Sequence, residues 1–242
     1  DWSTLALRGR MHIAVGTLQG LVGTPGKAGL KRQAIRELNE VVEKHFPEAD
    51  EDGAPHREFD RCVEAAIASL VALLLQETAC SPAMLRARNA RPLTESAAVV
   101  LGALRTLVVL LELEDEGVST AIYRAGGVPV LLALLDAGAE SEVVVNAASA
   151  LYLFERTRGE AICEAGGIAS LAALLCKSSA AQRYVAATLR SLTLAEVHYD
   201  NDAIREAGAI PQLVALLAGG VESKTAENAA GALLGLSRND GA

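Results

Sequence analysis

Three segments of the chain begin with nearly the same fifteen-residue phrase, and this repetition constrains the fold more than any other feature. The phrases are AIYRAGGVPVLLALL from residue 121, AICEAGGIASLAALL from 161 and AIREAGAIPQLVALL from 203. Their starts lie 40 and 42 residues apart (161 − 121 and 203 − 161). Self-similarity at a period near 40 residues is typical of a helical solenoid, in which each unit packs on the next.

Each phrase contains a glycine where a short helix is expected to end. Gly126, Gly166 and Gly208 occupy the position at which a left-handed residue commonly closes a helix, a conformation that glycine adopts without steric cost. The next residue is small each time, which allows a sharp turn into a second helix; these residues are Gly127, Gly167 and Ala209. The glycines therefore predict a structural turn in every unit.

The remainder of each unit predicts two more helices. Pro129 and Pro211 fall in the first turn of the second helix, where a missing N–H costs no hydrogen bond. Leucines then recur at the i, i+3, i+4 spacing of a buried helical stripe. A third helix is predicted at residues 146–154, 184–192 and 228–236.

Three helices per unit with a glycine pair after the first resemble the armadillo repeat rather than the two-helix HEAT or TPR unit. The phrases IREAGAIPQLVALL and ENAAGALLGLS are especially similar to armadillo arrays of plant and algal type, including those attached to U-box ubiquitin ligases. The resemblance is strong over residues 118–238. It implies an all-α, right-handed α-α superhelix, which is the armadillo-repeat solenoid.

The sequence predicts one solenoid over residues 1–242. A terminal repeat is usually atypical because it caps the stack. The predicted divisions are a partial repeat at 1–28, a divergent repeat at 29–117 with an insertion at 76–96, and regular repeats at 118–158, 159–200 and 201–242.

Composition and charge restrict the classes of partner. Hydrophobic residues make up 51% of the chain and aromatic residues only 3%, a mixture that suits close-packed helices. The net charge of −8 argues against a nucleic-acid partner, which would need a basic face. The most apolar stretch, residues 97–114, contains Arg105 and falls short of the roughly 20 apolar residues of a membrane span. We expect a buried helix there, with no nucleic-acid partner and no membrane span.

No motif for catalysis or metal binding is evident in the sequence. Residues 23–29, GTPGKAG, are similar to part of a phosphate loop, but the full pattern requires glycine at 21 and a hydroxyl residue at 28, where the chain has Leu21 and Ala28. The four cysteines lack metal-site spacing and are predicted to be buried thiols in a reducing compartment. We therefore expect no enzyme activity, cofactor, metal ion or small-molecule substrate.

The third helices of peptide-reading armadillo proteins carry a tryptophan and, four residues later, an asparagine, which together clamp an extended peptide. At the aligned tryptophan positions this chain has Gly102, Ser149, Ala187 and Gly231, and in the partial repeat Gly16. At the asparagine positions it has Thr106, Leu153, Ser191, Gly235 and Gly20. This loss argues against importin-like peptide reading. It predicts a smooth concave groove that receives a helix or an ordered protein surface, or is filled by the protein's own segments.

Six residues are candidates for contact with a protein partner. They are Arg86, Arg88, Arg91, Arg105, Tyr152 and Arg190. The first three cluster in the 76–96 insertion, and long loops in compact domains often carry function; a solvated linker is the alternative. Arg105 and Arg190 precede missing asparagines and would contact an acidic partner, unless they pair with neighbouring glutamates. For Tyr152 the alternative is half-buried packing.

The sequence thus predicts a non-catalytic scaffold or adaptor, a structural or assembly subunit that docks onto a larger protein complex. Its contacts would be the concave face and the 76–96 insertion. The alternative is the substrate-recognition array of a U-box-type ubiquitin ligase whose U-box lies outside this chain. Without an initiator methionine, the chain is expected to be a mature form or a fragment. We expect an intracellular protein, cytoplasmic by default, with an organelle such as the plastid as an open alternative.

Overall fold

A computed structural model describes residues 2–24, 26–45, 57–80, 95–137, 141–177, 180–194, 201–220 and 223–238. In chain order the helices of these residues are α1 (Trp2–Leu21), α2 (Ala28–His45), α3 (Arg57–Cys80), α4 (Glu95–Leu111), α5 (Glu116–Arg124), α6 (Gly127–Leu134), α7 (Glu142–Glu164), α8 (Gly167–Lys177), α9 (Gln182–Leu194), α10 (Asn201–Glu206), α11 (Ala209–Leu216) and α12 (Lys224–Arg238), with a 3-10 turn at Leu217–Gly219. The described part of the chain contains no strand, which confirms the predicted all-α class.

The chain divides into two compact units, Asp1–Val130 and Leu131–Ala242. In the first unit α2 packs against α1 and α4, while α3 packs against α1, α4 and α5. In the second unit α9 packs against α7, α8 and α12, and α11 packs against α8 and α12. Each unit has its own apolar core, with fully buried leucines such as Leu70 and Leu189. The predicted division into repeats is finer than these units and stays a prediction.

The glycine turns are confirmed at all three predicted positions. Gly126, Gly166 and Gly208 have φ values of 73°, 68° and 72°, which lie in the left-handed region. Helices α6, α8 and α11 begin at the next residue each time. A Cβ at Gly167 would lie 2.8 Å from Cγ2 and 2.9 Å from the carbonyl oxygen of Ile162, so the second glycine of that pair permits a close approach between successive helices.

The predicted third helices at 146–154, 184–192 and 228–236 lie within α7, α9 and α12. Helix α7 continues beyond its predicted end and is kinked at Arg158, which has φ −145° and ψ 56°. This kink coincides with the predicted boundary between two repeats.

The predicted 76–96 insertion is described only at its ends. Residues 76–80 continue α3 and residues 95–96 begin α4, whereas 81–94 lie outside the described residues. The predicted apolar helix at 97–114 is confirmed as α4, although α4 ends at Leu111.

Taken singly, none of the described helices is both long and apolar enough to cross a membrane. Two bent pairs, α5 with α6 and α7 with α8, reach the required length and composition when combined.

Candidate protein-binding site

The structure places the predicted contact residues in different parts of the chain. Arg105 is exposed on α4 in the first unit. Tyr152 on α7 and Arg190 on α9 belong to the second unit. The three arginines of the predicted insertion, Arg86, Arg88 and Arg91, lie outside the described residues.

Arg105 lines a cavity of about 230 Å³ between α2 and α4. Arg32 and Arg36 of α2 line the same cavity, so three arginines contribute to its wall. No carboxylate belongs to the described lining, which otherwise consists of polar, small and apolar side chains. The cavity is therefore a local concentration of positive charge in a chain whose net charge is −8.

Helix α2 supplies most of the polar lining because its spacing places those residues on one face. Arg32, Arg36 and Asn39 stand at i, i+4 and i+7, which are neighbouring positions along a helix surface. Asn39 Nδ2 donates to Glu43 Oε1 at 2.8 Å, while Asn39 Oδ1 is buried without a hydrogen-bond partner. These three residues were not predicted as a site from the sequence, although their spacing in RQAIRELN places them on one helix face.

Two of the aligned tryptophan positions are covered by the protein's own side chains. A Cβ at Gly102 would lie 3.2 Å from Ile35 Cγ2, and one at Gly231 would lie 2.7 Å from Arg190 Cδ. At Gly16, by contrast, a Cβ would meet no atom of the described residues within 4 Å. One predicted alternative was that the protein's own segments fill the groove. The contacts at Gly102 and Gly231 agree with this alternative, whereas those at Gly16 do not.

Arg190 is held in the contact between α9 and α12. Its Nη1 donates to Glu227 Oε1 and to Asn228 Oδ1, both at 3.2 Å. The pKa of Glu227 lies below its usual range, first because Lys224 donates a hydrogen bond to it and carries a charge beside it, and then because of Arg190. This geometry agrees with the alternative prediction for Arg190, in which it pairs with a neighbouring glutamate.

Tyr152 packs against a second tyrosine. Its ring centroid lies 6.3 Å from that of Tyr184, with a tilt of 47° between the rings. The guanidinium carbon of Arg183 lies 4.3 Å from the centre of the Tyr184 ring, within the range of a cation–π contact. Tyr152 is half-buried, as the predicted packing alternative requires.

Glu155 on α7 is a buried acid that our sequence analysis did not identify. Only 7% of the residue is exposed, and this burial raises the pKa of the carboxyl from 4.5 to about 7. A hydrogen bond with Ser191 and the charge of Arg156 act in the opposite direction on the pKa. Glu155 Oε2 has no hydrogen-bond partner. A single glutamate in a helical segment carries no sequence signal for burial.

Comparison with known proteins identifies the repeats. The family model for the Armadillo/beta-catenin-like repeat matches residues 115–152 and 202–238. No curated protein sequence matches this chain significantly.

Several solved structures have a similar fold. An engineered protein from a structural genomics consortium is 22% identical, with a TM-score of 0.54 over 96% of this chain and 89% of that chain. A designed armadillo repeat protein in complex with the peptide (KR)4 is 20% identical, with a TM-score of 0.51 over 96% and 92% of the two chains. A structure of computationally designed armadillo repeat proteins for modular peptide recognition is 22% identical, with a TM-score of 0.50 over 97% of this chain and 94% of that chain.

These similarities agree with the three-helix units and the left-handed glycine turns. They include no U-box protein, so the narrower resemblance to U-box arrays stays a prediction. Armadillo repeats typically form binding scaffolds without catalytic activity, and the comparisons support that broad role. Residues 115–152 and 202–238 match the armadillo repeat, and the chain has an all-α solenoid fold similar to that of designed armadillo repeat proteins.

Proposed function

We propose that this protein is a structural or assembly subunit that docks onto a larger protein complex by binding an acidic segment of its partner. The binding surface is the α2–α4 cavity with Arg32, Arg36 and Arg105. The observation that carries this proposal is that three arginines line one cavity in a chain with a net charge of −8.

The chemistry of arginine supports an acidic ligand. A guanidinium group presents several N–H donors in a planar fork that can hold a carboxylate through two parallel hydrogen bonds. Because the chain as a whole is acidic, an acidic segment is repelled by most of the surface and attracted at this cavity. Such local complementarity favours specificity and a faster association rate.

The insertion supplies a second part of the proposed surface. Arg86, Arg88 and Arg91 precede α4 in the sequence, and α4 carries Arg105. We assign these arginines to the same acidic partner, because an extended acidic segment offers carboxylates beyond those that one cavity of about 230 Å³ can hold.

The test compares two labelled peptides by fluorescence anisotropy: the acidic peptide (ED)4 and the basic peptide (KR)4. We expect (ED)4 to bind and (KR)4 not to bind. Reversing two charges in R36E/R105E should weaken (ED)4 binding by at least about tenfold, because two attractive contacts become repulsive. Raising the salt concentration should weaken it further.

The matched control is R124E/R238E, which makes the same change in net charge at two exposed arginines outside the cavity. This variant should bind (ED)4 within about threefold of the unmodified protein, because neither arginine lines the cavity. Equal loss of binding in both double variants would mean that net charge, rather than the cavity, attracts the acidic peptide. Preferential binding of (KR)4 would overturn the proposal.

A further inference from the structure

A second cavity of about 320 Å³ lies between α1 and α3, separate from the α2–α4 cavity. Gly16, an aligned tryptophan position at which no described side chain would meet a Cβ, forms part of its wall. Among the described residues, the titratable and charged groups that line the cavity are His12 from α1 and Arg61 with Cys62 from α3. A thiol, an imidazole and a guanidinium group therefore share one accessible space.

The thiol and the imidazole are in contact. Cys62 Sγ lies 3.5 Å from Nδ1 and 3.4 Å from Nε2 of His12. His12 is exposed, whereas Cys62 is only 8% exposed and borders the cavity. An imidazole at this distance can accept the thiol proton, and the resulting thiolate is the reactive form of cysteine.

We propose that Cys62 is a thiol–disulfide exchange site for small anionic disulfides of the oxidised glutathione type. His12 accepts the proton from Cys62 Sγ, and the thiolate attacks one sulfur of the disulfide. The S–S bond of that disulfide breaks as a new S–S bond forms to Cys62. The other half leaves as a thiolate, which takes up the proton; the Cys62 sulfur is thereby oxidised and the leaving sulfur is reduced.

Arg61 accounts for the preference for an anion. Its side chain lines the same cavity, where its positive charge attracts the carboxylates of a glutathione-like molecule. A covalently attached glutathionyl group would occupy the space left by Gly16. Modification would thus add charge and bulk at the contact between α1 and α3.

Cys176 provides a matched control within the same chain. It is exposed on α8, so accessibility alone predicts that it reacts faster than the nearly buried Cys62. Two single-cysteine proteins are compared, C80S/C163S/C176S, which retains Cys62, and C62S/C80S/C163S, which retains Cys176. Each is incubated with oxidised glutathione between pH 5.5 and 9, and the mixed disulfide is quantified by mass spectrometry.

We expect Cys62 to remain reactive at a lower pH than Cys176. In the protein that retains Cys62, His12→Gln should slow modification at pH 6.5 by about tenfold, because the thiolate fraction falls. Arg61→Gln should slow the reaction with oxidised glutathione but not that with the neutral 2-hydroxyethyl disulfide.

Circular dichroism of each variant establishes that the helices remain folded. The proposal is overturned if Cys62 and Cys176 have the same pH profile, or if Cys62 reacts only after denaturation. It is also overturned if His12→Gln leaves the rate unchanged. The R36E/R105E variant should be modified at the normal rate, so failure of the acidic-partner proposal is distinguishable from failure of this one.

Discussion

Replacing Glu155 with glutamine should stabilise this protein at pH 8 and change its stability little at pH 4.5. The carboxyl lies within the second unit, where burial raises its pKa from 4.5 to about 7. Glutamine has nearly the same shape, and its side-chain oxygen can accept a hydrogen bond from Ser191 as the carboxylate does. The substitution therefore removes the charge with little change in packing.

The direction of the pH effect follows from proton binding. Below pH 4.5 the carboxyl is protonated in both the folded and the unfolded chain. Between pH 4.5 and about 7 the folded chain holds a proton that the unfolded chain has lost, so the stability of the unmodified protein falls as the pH rises. Above about pH 7 the group is ionised in both states and the loss is complete.

The size of the effect follows from the difference between the two pKa values. At about 1.4 kcal/mol per pKa unit, a rise from 4.5 to about 7 corresponds to about 3 kcal/mol of lost stability at pH 8. For a chain of this length, the E155Q variant should therefore melt roughly 6–12 °C higher than the unmodified protein at pH 8.

The assay is urea unfolding followed by circular dichroism at pH 5, 6, 7 and 8, for the unmodified protein and E155Q. The stability difference should increase by about 2–3 kcal/mol across this range. Glu160→Gln is the matched control because Glu160 is an exposed glutamate on the same helix. The stability difference between this variant and the unmodified protein should not change with pH. Parallel pH curves for the unmodified protein and E155Q would refute the assignment of a buried, protonated Glu155.

Two further sets of substitutions test packing, one set in each unit. Lys31 is 1% exposed, and its Nζ lies 2.9 Å from Glu77 Oε1. K31M or E77Q alone should therefore lower the free energy of unfolding by about 3–5 kcal/mol. The double variant K31M/E77L should have nearly the same stability as the unmodified protein. Equal losses in the single and double variants in urea unfolding would contradict this. A Cβ at Gly235 would lie 2.8 Å from the Thr193 carbonyl oxygen, so G235A should lower the free energy of unfolding by about 1–3 kcal/mol. A Cβ at Gly231 would meet only an arginine side chain, which can move, so G231A should lower it less. Thermal melting should give a lower melting temperature for G235A than for G231A. The reverse order would be evidence against close packing of α9 on α12.

The helical turns could be predicted from sequence because their causes are local. A left-handed residue at the end of a helix favours glycine at that residue, as at Gly126, Gly166 and Gly208. The leucine stripe that follows has a period set by helix geometry alone. The repeat spacing and the third helices could therefore be predicted before any tertiary contact was known.

The interaction surfaces could not be derived in the same way. The spacing of Arg32 and Arg36 predicts one helix face, but only the packing of α2 on α4 brings that face to Arg105. Likewise, the sequence left it open whether the groove at Gly231 receives a partner or is filled by the protein itself, and in the structure the Arg190 side chain lies against Gly231. Burial of Glu155 and contact between His12 and Cys62 also join residues on separate helices.

The sequence by itself thus determined the armadillo-type helical units and their turns, together with the loss of the tryptophan–asparagine pattern. The tertiary structure decided which side chains line cavities, which pair with each other and which acid is buried. The physical reason is range: backbone conformation depends on the nearest few residues, whereas burial and electrostatic environment depend on side chains distant in sequence.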